Sequence, residues 1–574
     1  MPTTSISVPS VFNGISEQPP HMRLPSQVES AQNLVLAVQN GASKRPGSWI
    51  QFTLGEAFEW ENASEEKNGA QIFPIIRDSE YRYVLLIGPP PSPGTDTVVK
   101  VARVGKDVNA ACTVTVSPAA QTYLNLGFST KVNRFRAVTV ADYTLIANTT
   151  VNVKGTDASY TINAITAAAS AEVTTTASHG LTTGDTVTIE GSNSTPVIDG
   201  TRVVTVVSAT KFTVPVNTSG AGTAGTVYAG RLDATTMPLK LVRTGATTFT
   251  LDAIAWNQRT SGNTTTNPLP PFWTSGGTYA IADLAYYRGR LVLGGDEIVM
   301  MSQSDDLFDF WIGDATAVAD SDPIRRTLSS DQVTKIDSMV AVRRSLFLFT
   351  KAGRQFELAT GDSAALTTTN VRITPITSIP TVADIKPVVC DPSIFFVSRA
   401  QNAGQVYEIV YDEVSLPTQA NWTNAHCPNL IAFIDPNLGS TLKAQALNMF
   451  AIPEHNLVGV LRSQVNTDGK RRYGRDIYIY RYFNIGGERV QSAWMEYVWD
   501  PSPEAPGQVY KLDDYRIWDV CAVGDQFYIL SSTSVPAGDD PTGASGRTHR
   551  FWLESVTVTP EGAREDDIAT VVTL

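Results

Sequence analysis

A chain of 574 residues with 42% hydrophobic residues can bury several cores, and length alone predicts about four domain-sized units. The charged fraction is 17% and the formal net charge is −12. This balance argues against a protein that clamps nucleic acid through its phosphates, because such proteins are basic. No apolar run reaches the ~20 residues of a membrane-spanning helix, and the N-terminus lacks the regions of a signal peptide. The sequence predicts a chain made in a reducing cytoplasm, which stays there or assembles there into something larger.

The first 48 residues (1–48) are predicted to form an N-terminal arm that precedes any core-forming segment. The stretch from Asn13 to Trp49 carries proline pairs, several Gln and Asn residues, and small basic spots at Arg23 and Lys44–Arg45. Helical periodicity is scarce in the chain and is strongest in this arm, from Gln27 to Val38. Taken by itself, the composition leaves two interpretations open, an assembly element or a disordered polar tail.

After the arm, apolar and polar residues alternate between Gly, Pro, Asn and Asp turns, which predicts a mostly β, multidomain chain. Residues 49–154 are predicted to be the first part of a β-rich platform domain, with a proline corner at Gly88–Thr97. Residues 155–231 shift in composition to Ala, Thr, Ser, Val and Gly, and we expect an inserted small β-barrel or sandwich module there. Residues 232–281 return to the platform domain or serve as a linker.

Residues 282–556 contain five units in which apolar strands alternate with polar turns. The middle strands of successive units lie roughly fifty to seventy residues apart, a spacing near that of propeller repeats. The residues that mark these middle strands are Leu291, Leu346, Ile394, Leu457 and Phe527. The pattern predicts a degenerate five-bladed β-propeller, followed by a C-terminal tail at 557–574.

The chain carries no catalytic or metal motif, and no cofactor is predicted. Its four cysteines and five histidines lie apart and match no metal or redox spacing. We interpret His179 as a turn residue that caps the inserted module, and "GGDE" at Gly294–Glu297 as a propeller turn. Asp305, Asp306 and Asp309 are interpreted as solvated turn carboxylates, because glycosidase chemistry needs two carboxyls about 5–10 Å apart across one cleft.

The N-terminal stretch "NGISEQPPHMRLPSQVESAQNLVLAVQNGASKRPG" resembles the opening signature of the tail nozzle proteins of short-tailed bacteriophages, also called the tail tubular protein B family. The matching residues are Asn13, Gly14, Ile15, Ser16, Gln18, Pro19, Arg23, Pro25, Gln27, Asn33, Gly41, Lys44, Arg45 and Pro46. Later segments match in the same order, namely Asp142–Val153, Met237–Arg243, Trp256–Trp273, Arg288–Trp311, Asp320–Asp337, Arg354–Leu358 and Ala425–Ile431. Apart from the inserted module, the resemblance covers residues 13 to about 555.

The resemblance implies a non-enzymatic structural subunit that assembles as a homo-hexamer below a ring of adaptor subunits of the tail tubular protein A kind. Such a ring offers docking surface to tail fibres and forms a channel through which genomic DNA passes without specific binding. The arm is then expected to contact neighbouring subunits or the adaptor through Gln18, Pro19, Arg23, Pro25, Gln27, Lys44 and Arg45.

Two further expectations accompany the resemblance. The net charge of −12 suggests an acidic lumen, which DNA crosses without being trapped. Family members usually continue beyond the propeller into a narrow exit tube, whereas this sequence ends at Leu574. The tip of the tube is therefore expected to be a separate protein, much reduced, or absent.

Two alternative functions stay open at the level of sequence. The first is a propeller depolymerase that cleaves a host surface glycan, with Asp305, Asp306 or Asp309 as the acid or base. The second is a glycan-binding module in which Trp499 or Trp518 serves as a stacking platform.

Overall fold

In the computed structural model, the described residues are 12–16, 18–38, 41–54, 70–88, 96–105, 109–127, 134–329, 332–351, 353–360, 365–390, 393–400, 403–410, 444–465, 471–485, 488–499, 515–535, 548–558 and 572–573. Most of the predicted proline corner, the Ala425–Ile431 match and most of the predicted C-terminal tail lie outside them. The described part is nearly all β, as the sequence predicted.

The arm contains a short hairpin of two antiparallel strands, β1 (Leu34–Ala37) and β2 (Gly41–Lys44). The helical periodicity between Gln27 and Val38 therefore did not produce a helix. A helix this short is marginal in water without tertiary support. Here Val35 and Leu36 are instead buried as strand residues against the rest of the chain, so packing decided the backbone conformation.

The next strand, β3 (Ser48–Thr53), leaves the arm, and its partners among the described strands come from the far end of the sequence. After it comes a four-stranded antiparallel sheet, here called blade 1, which consists of β4 (Gln71–Ile76), β5 (Arg82–Gly88), β6 (Val98–Val104) and β7 (Ala110–Val116). Helix α1 (Pro118–Asn125) follows, and the side chain of its N-cap residue, Ser117, accepts a hydrogen bond from the amide of Ala120. A proline in the first turn also favours this helix start.

Blade 2 is split by the inserted module. Its first two strands are β8 (Phe135–Val140) and β9 (Tyr143–Asn148). The module follows as one curled seven-stranded sheet of β10 (Gly155–Ile165), β11 (Ala171–Thr175), β12 (Thr186–Glu190), β13 (Gly200–Val203), β14 (Thr205–Ser208), β15 (Lys211–Val214) and β16 (Thr226–Leu232). Blade 2 then resumes with β17 (Leu239–Gly245) and β18 (Thr248–Ala253). The outer strands β7 and β18 pair in parallel and join blades 1 and 2 at their rim.

Polar contacts clamp the inserted module to the segment that follows β18. The buried Arg259 pairs with Asp157 on β10, with its Nη1 atom 2.7 Å from the carboxylate. The hydroxyl of Thr188 donates to the carbonyl of Gly262, and Gln258 donates to Asp185. These contacts are separate from the two chain connections of the module. Together with those connections, they fix the orientation of the module on the propeller.

Three further blades follow in sequence. Blade 3 contains β19 (Asp283–Tyr287), β20 (Arg290–Gly295), β21 (Ile298–Met301) and β22 (Ile324–Thr327). Blade 4 contains β23 (Ile336–Val342), β24 (Ser345–Thr350), β25 (Gln355–Thr360) and β26 (Val371–Thr377). The described strands of blade 5 are β27 (Val388–Cys390), β28 (Ser393–Ala400) and β29 (Ala403–Val410).

Two more blades complete the C-terminal half. Blade 6 contains β30 (Ala444–Ile452), β31 (Leu457–Val465), β32 (Arg471–Ile485) and β33 (Glu488–Val498). Blade 7 contains β34 (Arg516–Val523), β35 (Gln526–Val535) and β36 (Thr548–Thr557), with β3 as its fourth strand. The short β37 (Val572–Thr573) lies parallel to β3.

The seven blades stand in a closed ring. The first strand of each blade contacts the first strand of the next, in the order β4, β8, β19, β23, β27, β30, β34 and back to β4. Apolar side chains of neighbouring blades fill the space between the sheets. On β5, for example, Val84 and Leu86 pack towards blade 7 while Leu85 and Ile87 pack towards blade 2, as the alternation of strand residues requires.

The prediction of a propeller is confirmed, and each of its five units forms strands of its own. The ring nevertheless has seven blades, because the sheets that begin at β4 and β8 occupy two places in it. The prediction of a five-bladed ring was therefore wrong in number. Those two blades were missed because the inserted module interrupts the second of them, so no regular spacing is visible in the sequence.

Near the axis of the ring, polar side chains on the first strands form hydrogen bonds to the neighbouring blade. Each such link is here called a staple. The carboxylate of Asp283 accepts a hydrogen bond from the amide of Met339 in the next blade, at 2.7 Å. Gln71 exchanges two hydrogen bonds with the backbone of Phe135 in blade 2. The staple that closes the ring is Asp519 in blade 7, which accepts from the amide of Ile72 in blade 1 at 2.8 Å.

The Asp519 staple predicts how stability depends on pH. Burial raises the pKa of Asp519 to about 6, so the folded protein binds a proton more tightly than the unfolded chain does. Stability from this group is fully present below the unfolded pKa near 4 and is lost as pH rises through 6. The side chain of Asn cannot titrate. Between pH 4 and 7 we therefore expect Asp519→Asn to lose up to about 3 kcal/mol less unfolding free energy than the wild type loses. Denaturant unfolding from pH 4 to 7 measures it.

The matched control for this prediction is Asp525→Asn, an exposed residue in the turn between β34 and β35. That variant should keep the wild-type slope of stability against pH. If Asp519→Asn and the wild type show the same slope, the buried carboxyl is not the titrating group.

Candidate assembly interface

The N-terminal arm lies along β33, the outer strand of blade 6. The amide of Ile15 donates to the carbonyl of Trp494, and the amide of Glu496 donates to the carbonyl of Ala31. The side chain of Gln491, which is buried, donates to the carbonyl of Leu36. The described part of the arm is thus attached to its own chain by backbone pairing. The interpretation as a disordered tail was therefore wrong for these residues.

Arg45 fixes the end of the arm hairpin. Its guanidinium donates to the side chain of Asn33 at 2.6 Å and to the carbonyl of Val498 at 3.2 Å. The same group lies over the ring of Trp499, 4.4 Å from its centroid, where the cation meets the negative face of the aromatic system. Burial lowers the pKa of Arg45. This side chain is committed to the subunit itself, whereas the neighbouring Lys44 is exposed.

A second anchor depends on a glycine. Gly14 has φ of +72°, and an added Cβ atom would overlap the backbone of Trp494. Only glycine combines this left-handed backbone conformation with so close an approach. Asn33, a non-glycine residue at φ 55°, accepts hydrogen bonds from Arg45 and from the amide of Val498. Several residues of the N-terminal signature therefore serve to fold the arm onto blade 6.

The other five predicted contact residues lie together in one loop, residues 18–27, here called the finger. Its internal hydrogen bonds define its shape: the carbonyl of Pro19 accepts from the amides of Met22 and Arg23, and the guanidinium of Arg23 donates to the carbonyl of Gln18 at 3.0 Å. The side chain of Gln27 accepts from the amide of Leu24. Arg23 also lies 3.7 Å from Glu29. Gln18, Arg23 and Gln27 thus shape the finger, while Pro19 and Pro25 are exposed on it.

The predicted acidic cluster, Asp305, Asp306 and Asp309, lies in one loop, and two of its side chains form hydrogen bonds within the fold. Asp306 and Asp309 both accept from the side-chain amide of Asn257, at 2.9 and 3.3 Å. Each also accepts from a backbone amide two residues later in its own loop. Burial raises the pKa of Asp309. Asp305 occupies a left-handed turn position at φ 62° and is exposed. The carboxylates of Asp306 and Asp309 therefore stabilise the loop between β21 and β22.

The two tryptophans considered for glycan stacking are both packed. Trp499 is buried beneath Arg45 and donates to the hydroxyl of Ser48. Trp518 stacks on Phe551 within blade 7, with ring centroids 5.7 Å apart. Trp499 therefore has no free face for a sugar, and one face of the half-buried Trp518 is covered by Phe551.

His179 lies inside the module rather than in a ligand site. It is buried, its ring packs against Phe212, and its Nδ1 atom accepts from the amide of Leu181 within its own turn. Throughout the described ranges, no group of three or more His, Cys, Asp or Glu residues could hold a metal ion. Nor does that part of the chain contain a helix long and apolar enough to cross a membrane.

A closed propeller with a structured arm, and with its candidate carboxylates used in turns, fits a structural β protein. Comparison with known sequences gives the class: the chain belongs to the bacteriophage nozzle protein family, whose profile matches residues 1–220 and 221–543. It is therefore a component of a phage tail, with a structural role in the virion.

One curated relative is the tail tubular protein gp12 of Escherichia phage T7. The two are 25% identical over 197 residues, which cover 34% of this chain and 24% of the T7 protein. The matched region is thus about a quarter of that relative's length.

Solved structures are similar only weakly. The phage phi92 endosialidase matches with a TM-score of 0.29 and 10% identity over 92% of this chain and 72% of that chain. Yeast RCC1 bound to Kap60 matches with a TM-score of 0.24 and 10% identity over 51% of this chain and 69% of that chain. Scores this low support no inference about the function of this chain.

The contacts of Arg45 lead to a prediction about how firmly the arm is attached to blade 6. We expect Arg45→Ala to weaken the attachment of residues 31–46 by about 3 kcal/mol, because hydrogen bonds to a charged group and a cation–π contact are lost together. Hydrogen exchange of the arm amides should accelerate by roughly 100-fold, while the exchange of blades 1 to 4 stays unchanged.

Two companion variants make this prediction specific. Lys44→Ala removes an exposed charge next to Arg45 and should leave arm exchange unchanged. Arg45→Lys keeps the charge but cannot reproduce the planar stacking and the several directed donors, so it should resemble Arg45→Ala. Unchanged exchange in Arg45→Ala would show that the arm is held elsewhere.

Proposed function

We propose that this protein is the ring-forming subunit of a tail nozzle, assembled as a homo-hexamer beneath a ring of adaptor subunits. DNA leaves the virion through the lumen of that ring, and tail fibres dock on its outer surface. The observation that carries the proposal is the match of the nozzle family to nearly the whole chain, residues 1–220 and 221–543.

The propeller suits this role as a rigid wall and not as the passage itself. The polar side chains along its axis are buried, among them Arg136, Asp283, Asp337 and Asp519. The first strands also contact one another around the ring. These features favour a lumen enclosed between copies of the subunit. With a net charge of −12, such a lumen is expected to be acidic, so that DNA slides through it without being held.

No observation favours the enzymatic alternative. Asp306 and Asp309 share one amide partner, Asn257, in a loop that they stabilise. A pair that acts as acid and base needs to face a common cleft with room for the substrate. The glycan-binding alternative is not favoured at its two candidate platforms, because Trp499 is buried beneath Arg45 and the half-buried Trp518 stacks on Phe551.

The decisive measurement is native mass spectrometry of the purified chain, alone and mixed with its adaptor protein, followed by negative-stain imaging. We expect a six-fold ring with a central hole, formed either alone or with the adaptor. A stable monomer or trimer that ignores the adaptor would contradict the proposal. Cleavage of capsular polysaccharide by the isolated wild type, lost in Asp306→Asn, would support the depolymerase instead.

A further inference from the structure

One cleft of the described surface combines polar side chains with an exposed aromatic ring. It lies on blade 6, where three segments meet: the turn between β30 and β31, the last residues of β32 and the arm hairpin. Its volume is about 130 Å³. An apolar cavity of about 150 Å³ holds one benzene molecule, so the cleft has room for a single six-membered ring.

Hydrogen bonds within the subunit fix the walls of this cleft. The turn at 453–456 is tied to β32, because the carbonyl of Asn456 accepts from the amide of Tyr482 at 3.2 Å. On the side of the arm, the buried Gln491 donates to the carbonyl of Leu36 at 3.1 Å. This bond holds the arm hairpin against the cleft. The site is therefore shaped before any ligand arrives, which lowers the entropy lost on binding.

Four planar polar side chains line the cleft and have no hydrogen-bond or ion-pair partner among the described residues. They are Glu454, His455, Asn456 and Arg481. Arg481 is the most informative of them, because it is half-buried and burial lowers the pKa of its guanidinium. Buried side-chain donors are normally hydrogen-bonded. A guanidinium without a partner in the wall of a cleft therefore marks a place where a ligand can bind.

The mixture of these groups selects the chemistry of the ligand. A guanidinium only donates hydrogen bonds, a carboxylate only accepts them, and a side-chain amide does both. An anion would meet the like charge of Glu454, and a cation would meet that of Arg481. Hydroxyl groups donate and accept. An uncharged ligand with several hydroxyls can therefore pair with every kind of side chain in the cleft and is repelled by none of them.

Phe483 supplies the second feature that such a ligand needs. It lines the cleft, is 37% exposed and makes no ring contact with another described aromatic residue. The face of an aromatic ring is electrostatically negative, and the C–H hydrogens on one side of a sugar ring are weakly positive. An aromatic wall beside hydrogen-bonding groups therefore fits a pyranose, which has an apolar C–H face and a rim of hydroxyls.

We propose that this cleft binds one pyranose ring of a cell-surface glycan, with Phe483 packed against the ring and with Arg481 and Glu454 bonded to its hydroxyls. Such binding goes beyond the proposed function, since a single subunit suffices for it. It also differs from the platforms that the sequence suggested, because Trp499 and Trp518 do not line the cleft. A site for one ring is weak, with a Kd of about 1 mM. In a ring of subunits each copy would present one site, and avidity would strengthen the attachment.

Saturation-transfer difference NMR on the full chain tests the site, with free glucose, galactose, mannose and N-acetylglucosamine as probes. We expect transfer to the C–H protons of at least one of these sugars. Phe483→Ala and Arg481→Gln should each weaken the binding by about tenfold or more, while circular dichroism and the unfolding midpoint check the fold. Tyr286→Ala is the matched control. Tyr286 is 43% exposed on β19 and does not line the cleft, so this variant should bind like the wild type.

The arm provides a second test. Ala37 and Val38 line the cleft, so loosening the arm with Arg45→Ala should weaken the binding of the same sugars. Lys44→Ala, which leaves the arm attached, should bind them like the wild type. Unchanged binding in Arg45→Ala would overturn the assignment of the arm as a wall of the site.

The outcomes separate this inference from the proposed function. Absence of transfer to all of the sugars overturns the site, and so does binding that both Phe483→Ala and Arg481→Gln retain. Binding of free acetate or glycine in place of the sugars would make the cleft a carboxylate site, which also overturns the proposal. Ring formation is unaffected by any of these results. Sugar binding by a chain that forms no ring would support the site while it overturns the proposed nozzle.

Discussion

The fold depends on one closure, in which the two ends of the described chain meet in blade 7. Strand β3 follows the arm, yet it completes a sheet whose other strands begin at Arg516. Beside this pairing, Asp519 bonds to the amide of Ile72 and ties the last blade to the first. Without these contacts the ring would open at one seam, and the apolar faces of blades 7 and 1 would meet water. Long-range pairing of this kind closes a very large loop, and the buried area on both sides of the seam must offset that entropy.

The same closure places the arm. Because β3 is fixed in blade 7, the residues just before it are brought beside blade 6, where Arg45 and Asn33 bind the edge of β33. The arm is then a continuation of the propeller surface, and its finger projects from a rigid base. Residues that are already held in one conformation lose less conformational freedom on forming a contact than a flexible tail does.

The buried polar groups inside the ring hold neighbouring blades in position. The hub carboxylates of Asp283 and Asp519 accept hydrogen bonds from backbone amides of the next blade, which pairs these two buried donors where the sheets crowd together. Asp306 and Asp309 follow the same rule in a surface loop. Clusters of carboxylates in this chain therefore report on turn and hub construction, and their spacing in sequence is a poor guide to catalysis.

The sequence by itself determined the β character, the propeller units after residue 282, the inserted module and the family signature, because strand periodicity and turn residues are local properties. The sequence also contained a signal for the strands at the axis of the ring from which no prediction was drawn. This signal is a polar residue in an otherwise apolar first strand, as at Asp283 and Asp519. Tertiary structure alone decided that the ring has seven blades, that β3 closes it and that Arg45 binds the edge of blade 6 in its own subunit. These outcomes depend on contacts between residues hundreds of positions apart, and no local pattern encodes which distant strand supplies the partner.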